Sequence, residues 1–269
     1  MCTVESIGLK DIECYLLDMD GTIYLSNELI DGAVDFIENL KKQDKKFVFM
    51  TNNSSKSKKT YLDKLEKLGI QCSQDNIFTS GDATALYLKN KSEVPKVFLL
   101  GTKDLEEDFK SQGIQLVNNT DIKPEFVVLG FDTTLTYDKV WKACDYIRDG
   151  VEYIATHPDF NCPLAGGKYM PDAGAMIKMI EASTGKSPHI IGKPNQEVVN
   201  VLSQKLDIEK EKMAMVGDRL YTDIMLGKNA DITSILVLSG ETTKKDLEVS
   251  QVKPTYVFDS VKGIHESIK

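Results

Sequence analysis

Short apolar runs alternate along the chain with segments whose apolar residues recur at helical spacing, the pattern of βα units built around a parallel sheet. The predicted class is α/β. A strand over 14–17 is followed by a helix over 33–42, with Ala33, Phe36, Ile37 and Leu40 on one face. A second strand over 47–50 leads to a helix over 58–68 that places Tyr61, Leu62, Leu65 and Leu68 together, and Gly69 stands where a left-handed residue closes a helix. The rhythm returns late in the chain, with strands over 189–191, 213–216, 234–238 and 256–258 and helices over 197–206 and 222–228.

A middle block keeps its own βα order: strands over 97–100, 126–129 and 153–156, and helices over 105–111, 137–148 and 175–184. Its loops are rich in turn residues, notably 162–167 (Cys-Pro-Leu-Ala-Gly-Gly) and 170–174 (Met-Pro-Asp-Ala-Gly). The expected organisation is a Rossmann-like core of residues 1–80 and 186–269, interrupted by an inserted α/β domain of residues 81–185. At 269 residues with 41% apolar content, the chain can supply two cores.

Charge and cysteine content narrow the function. Forty-one acidic against 33 basic residues give a formal charge of -8, which repels nucleic acid, and the short lysine clusters at 41–46 and 56–59 read as helix faces. No apolar stretch approaches the roughly 20 residues that cross a bilayer, and the first residues lack a basic or apolar leader. Five scattered cysteines, Cys2, Cys14, Cys72, Cys144 and Cys162, form no C-x-x-C pair and no even disulfide framework. A cytoplasmic protein acting on a small molecule, without nucleic-acid or membrane partners, is the expectation; assembly into a homo-oligomer is compatible with it.

The chemistry sits just after the strands, where ligands gather in open α/β sheets. Asp18-Met19-Asp20-Gly21-Thr22 follows the first strand and Thr51-Asn52-Asn53-Ser54 the second. Gly192-Lys193-Pro194 follows the run at 189–191, and Gly217-Asp218-Arg219 follows 213–216, with Asp223 five residues beyond Asp218. Hard carboxylate oxygens suit Mg2+, with Asp18 and Asp218 the natural side-chain ligands and the Asp20 carbonyl a third once Gly21 turns the chain. Lys193 is a point charge for carboxylates and phosphate, and Thr51 with the Asn52 and Asn53 N–H groups can cradle a phosphate. Alone, an Asp-x-Asp or a Gly-Lys-Pro is an ordinary turn; it is their joint occurrence after successive strands that carries the reading.

These four runs, extended to Leu17–Thr22, Phe49–Ser54, Ile191–Pro194 and Met215–Asp223, resemble the four motifs of the haloacid dehalogenase superfamily, specifically its NagD-like, p-nitrophenylphosphatase branch with a large inserted cap of the C2 type. The resemblance spans the whole chain. It implies a phosphatase in which Asp18 is the nucleophile, forming an aspartyl-phosphate, and Asp20 the acid and base. It also implies that Thr51, Asn52, Asn53 and Lys193 hold phosphate, that Asp18, the Asp20 carbonyl and Asp218 bind Mg2+, and that Asp223 orients the water around the metal. Dehalogenases of the superfamily lack the second acid, so Asp20 favours phosphate ester hydrolysis. A phosphotransferase sharing the intermediate, or an inactive metabolite-binding module, are the competing readings; intact Asp20 weighs against the latter.

One cap segment departs from the family pattern. Asp172 stands where a Pro-Gly-x-Gly sequence has glycine. The neighbouring loop 157–163 is the expected surface for the leaving group, with Asp159, Asn161 and Cys162 as specificity candidates. His157 has no Gly-x-Ser-x-Gly partner, so a turn or substrate contact is expected of it rather than a Ser-His-Asp triad. Met170, Met176 and Met179 read as packing.

Overall fold

The computed structural model describes residues 8–164 and 168–269. Cys2 and the turn residues Ala165, Gly166 and Gly167 lie outside these. The described chain forms two compact units, a core unit of residues 8–51, Tyr61–Phe78 and Lys193–Lys269 and an inserted unit of Asn52–Thr60 and Thr79–Gly192.

The core unit contains β1 (Cys14–Asp18), the short hairpin strands β2 (Tyr24–Leu25) and β3 (Glu28–Leu29), β4 (Lys46–Thr51) and β5 (Ile77–Thr79). In the inserted unit follow β6 (Lys96–Leu100), β7 (Gln115–Leu116), β8 (Phe126–Leu129), β9 (Glu152–Ala155), β10 (Asn161–Leu164), β11 (Lys168–Pro171) and β12 (His189–Ile190). The chain then returns to the core with β13 (Met213–Gly217), β14 (Thr233–Val237) and β15 (Tyr256–Phe258). The core sheet has the order β15-β14-β13-β1-β4-β5, with β1 parallel to both β4 and β13. β1 is central and covered on both faces, so Cys14, Tyr15, Leu16 and Leu17 are all fully buried and show no alternation. The helix Ala33–Lys42 buries Ala33, Phe36, Ile37 and Leu40, the predicted face, and Phe36 meets Tyr15 edge to face at 5.7 Å.

The inserted sheet has the order β12-β9-β8-β6-β7, and each of its pairings is parallel. Phe98, Leu100, Val127, Leu129 and Tyr153 pack there against Ala143, Ile147, Ile177 and Ile180 of the helices Tyr137–Arg148 and Ala173–Thr184. The helices over 33–42, 137–148 and 197–206 have the predicted bounds, and Gly69 takes the expected positive φ of 87°.

Four differences have physical causes. The helix Ser80–Lys91 escapes a periodicity reading because Ser80 to Ala85 are buried without interruption, leaving no polar face to mark it. The turn-rich stretches at 162–167 and 170–174 contain a two-stranded antiparallel hairpin, Asn161–Leu164 with Lys168–Pro171, which pairs through the backbone and needs no apolar run. The predicted helix over 222–228 is a π-helical turn, Leu220–Ile224, leading into the helix Met225–Ala230. Strand His189–Ile190 joins β9 in the inserted sheet, a choice that sequence cannot make because both sheets are parallel βα layers. Among the described residues no helix is long and apolar enough to cross a membrane.

Phe36 is the sharpest test of the core packing. Phe36→Ala is expected to destabilise the protein by about 3–5 kcal/mol, whereas Val34→Ala on the exposed side of the same helix should stay within about 0.5 kcal/mol. Urea unfolding of the two variants checks this, and similar losses for both would contradict the packing described.

Candidate active site

Parallel strands deliver polar residues to the carboxyl edge of the core sheet. β1 ends in Asp18, β4 ends in Thr51, and β13 runs directly into Asp218. The π-helical turn that follows carries Asp223. Lys193, only 3% exposed, has its Nζ 2.5 Å from Asp18 Oδ1 and 2.7 Å from Asp223 Oδ1. Carboxylate oxygens of Asp18, Asp218 and Asp223 all lie within 4.8 Å of one another. The Asp18 side chain keeps 16% of its surface exposed, enough to meet a ligand from solvent.

Asp218 is fixed by a segment that the sequence did not single out. Its Oδ2 accepts the Glu241 N–H at 2.6 Å and its carbonyl accepts the Thr242 N–H at 3.2 Å. Ser239 Oγ donates to the Gly21 carbonyl at 2.8 Å, tying the same segment to the turn after β1. A Cβ at Gly21 or at Gly240 would overlap the Asp218 carboxylate, and Gly21 has a φ of 90°, so both walls have to be backbone. The only trace of this in sequence is Ser239-Gly240-Glu241 directly after an apolar run, a weak signal by itself. Arg219 Nε and Tyr221 Oη lie 2.9 Å from the Glu241 carboxylate and hold it from outside.

The remaining oxygen, Asp218 Oδ1, is buried without a hydrogen-bond partner. Burial pushes the Asp218 carboxyl up to about 6, helped by the charge of Asp223. Burial likewise raises Asp18, with Asp223 and Asp218 adding to it and Lys193 opposing. For Lys193, burial alone would lower the ammonium; Asp18 and Asp223 more than reverse it, so the group stays charged. Two buried carboxylates and one half-buried carboxylate thus share one ammonium, and an oxygen of Asp218 lacks a hydrogen-bond partner. Such a set of hard oxygens fits a divalent cation of the Mg2+ type, which would satisfy Asp218 Oδ1 and favour the ionised carboxylates.

The other sequence candidates stand as follows. Asp20 is exposed and its backbone bridges to Tyr24, while the Gly21 N–H donates to the Tyr24 carbonyl at 2.7 Å. Asn53 is half-buried, its Oδ1 accepting the Ser55 N–H and O–H at 2.9 and 2.8 Å in an Asx turn. Asn52 is buried, and its amide donates to both Asp159 oxygens at 3.2 and 3.3 Å. Asn161 is exposed and Cys162 half-buried on β10. His157 is fully buried against Asp172, which the turn expectation did not foresee.

The haloacid dehalogenase-like hydrolase model matches residues 15–115 and a second model of the same kind matches residues 190–264. The chain is 38% identical over 261 residues to an acid sugar phosphatase of Staphylococcus saprophyticus, covering 97% of this chain and 98% of that one. It resembles the crystal structure of 4-nitrophenylphosphatase from Thermotoga maritima with a TM-score of 0.91 and 48% identity, over 97% of this chain and 99% of that one. A glycerol phosphate phosphatase from Mycobacterium tuberculosis, solved in complex with magnesium, matches with a TM-score of 0.88 and 26% identity over 96% of this chain and 78% of that one. With its motifs at the ends of β1, β4 and β13 and a second parallel sheet inserted between them, the chain belongs to the haloacid dehalogenase-like hydrolases, in the branch of NagD and the p-nitrophenylphosphatases.

Proposed function

We propose that this protein is a cytoplasmic, Mg2+-dependent phosphatase that hydrolyses a small phosphate monoester through an aspartyl-phosphate on Asp18. The observation that carries the reading is Lys193, buried and shared between Asp18 and Asp223 beside the unpartnered Asp218 oxygen. The phosphatases among its relatives and the free thiols of Cys14, Cys72 and Cys144 support it.

In this reading an Asp18 oxygen attacks phosphorus while Asp20 gives its proton to the departing oxygen. Asp20, now a carboxylate, then takes a proton from water, whose oxygen attacks the same phosphorus and releases Asp18 and inorganic phosphate. Asp20 is the exposed residue of an otherwise buried turn after β1 and lies outside the carboxylate cluster, which suits a group that must alternate between acid and base. Lys193 opposes the burial that disfavours the Asp18 anion and offsets charge that builds on the phosphoryl oxygens. Asp18, Asp218 and the Asp20 carbonyl would hold Mg2+, with Asp223 behind them. When bound, Mg2+ supplies positive charge to the phosphate and to the attacking carboxylate. Thr51 and the Asn52 and Asn53 N–H groups would bind the non-reacting oxygens. The inserted unit, residues 81–185 in the sequence division, selects the substrate, with Asn161 and Cys162 as contacts for the leaving group. Asp159, engaged with Asn52, is closer to the phosphate loop.

Asp18→Asn is expected to abolish turnover of p-nitrophenyl phosphate in Mg2+ with an unchanged circular dichroism spectrum, because the amide is nearly isosteric but is not a nucleophile. More than a trace of activity, with contamination excluded, would remove Asp18 from the role. Asp20→Asn should slow alkyl phosphates by about 10²–10⁴-fold and p-nitrophenyl phosphate much less, since a good leaving group needs little protonation. Equal losses on both in single-turnover measurements would rule out Asp20 as the acid. Asn161→Ala and Cys162→Ala should reorder a panel of phosphorylated metabolites by several-fold while leaving p-nitrophenyl phosphate within about threefold, in the range of one lost contact. A uniform fall with unchanged ranking would make the hairpin structural.

A further inference from the structure

The inserted unit buries a histidine that this reaction does not use. His157 follows β9 and is fully buried, with Nε2 2.8 Å from Asp172 Oδ1. Its Nδ1 lies 2.8 Å from Thr156 Oγ1 and 3.5 Å from Ser80 Oγ. Asp172 is itself only 4% exposed, and the same oxygen accepts the Ala173 N–H at 2.6 Å where the helix Ala173–Thr184 begins.

Both hydroxyls beside the ring lead to residues 52–54. Ser80 Oγ donates to the Asn52 carbonyl in a short hydrogen bond. Thr156 Oγ1 lies 3.0 Å from Ser54 Oγ, which also accepts the Phe131 N–H at 2.9 Å. In a trans peptide the C=O and the following N–H point in opposite directions. Holding the Asn52 carbonyl on Ser80 therefore fixes the direction of the Asn53 N–H, one of the donors assigned above to phosphate. Nor can the network shift easily. A Cβ at Gly192 would overlap the Thr156 carbonyl and the Asn52 amide and press on Ser80, so the space around it is filled.

We infer that His157, oriented by Asp172, is a positioning residue that sets the phosphate loop through its hydrogen bond to Thr156 and so to Ser54, and by packing against Ser80, before substrate arrives. The inference rests on the assignment of residues 51–53 to phosphate binding. A loop already held in its binding geometry loses less conformational freedom when phosphate binds, so the network acts on affinity for the phosphoryl group. It acts equally on every substrate, because the phosphate is common to them all. A histidine that merely satisfied its own burial would affect stability alone.

Two amides separate the ring nitrogens. Glutamine at 157 reaches the Nε2 position and keeps Asp172 paired, but places nothing at Nδ1; asparagine reaches Nδ1 and gives up Asp172. His157→Gln is expected to raise both KM for p-nitrophenyl phosphate and Ki for inorganic phosphate by about three- to tenfold, the span of one net hydrogen bond, with kcat within about twofold. His157→Asn should keep both constants near wild type while lowering Tm, since a buried carboxylate loses its partner. Folded His157→Gln protein with unchanged phosphate inhibition overturns the inference, as do equal rises in the two variants. Should His157→Gln not fold, Thr156→Val carries the test by removing the hydroxyl that joins Nδ1 to Ser54, with the same rise expected and an unchanged Ki overturning it. A wild-type protein that does not turn over p-nitrophenyl phosphate would instead defeat the phosphatase reading; an active wild type with silent variants defeats only the positioning role.

Discussion

Lys193 lies at the centre of an electrostatic problem created by the fold. Two parallel strands that end together and the π-helical turn after one of them bring Asp18, Asp218 and Asp223 into one small volume, where burial opposes charge and each carboxylate opposes the next. One ammonium, held at 2.5 and 2.7 Å by two of the three, makes that volume tolerable. Removing one partner of a buried ion pair costs about 3–5 kcal/mol because the other charge is stranded. The arrangement is therefore poorly satisfied by protein groups alone. It is strained towards accepting a cation and a phosphate, whose opposite charges complete it.

The two units handle this with different materials. In the core unit, positions are set by backbone: Glu241 and Thr242 N–H groups on Asp218, Arg219 N–H on Asp223, and the Gly21 carbonyl on Ser239. In the inserted unit, the chain of contacts runs through side chains, from Asp172 through His157 to Ser80, Thr156 and Ser54. Backbone contacts survive most substitutions, whereas a side-chain network can be altered one residue at a time.

Much of the fold was legible because its signals are local. Buried strands such as Cys14–Asp18 and Phe126–Leu129 are continuous apolar runs, and helices such as Tyr137–Arg148 keep one apolar stripe. Asp18 and Asp218 were legible for the same reason: each stands at the end of an apolar run, and the topology of the parallel core sheet brings those strand ends together, whereas Asp223 comes from the π-helical turn after Asp218 and Lys193 follows a strand of the inserted sheet. What escaped lacks a local signature. The helix Ser80–Lys91 is buried on all sides of its first turns, and His189–Ile190 could serve either sheet. The Ser239–Thr242 segment acts mainly through its backbone, which any residue carries. The His157–Asp172 pair spans 15 positions with nothing in between to announce it.

Gly21 and Gly240 enclose Asp218 from two directions with no side chain on either wall. The atoms in the way are those of the Asp218 carboxylate, which the Glu241 N–H holds in place, so bulk added at position 21 or 240 displaces the carboxylate itself. For protein engineering this makes the pair a fixed frame: libraries that diversify these two sites would consist almost wholly of dead members. Randomisation at the exposed Asn161 and the half-buried Cys162 leaves the frame untouched, so that is where new selectivity is most cheaply sought.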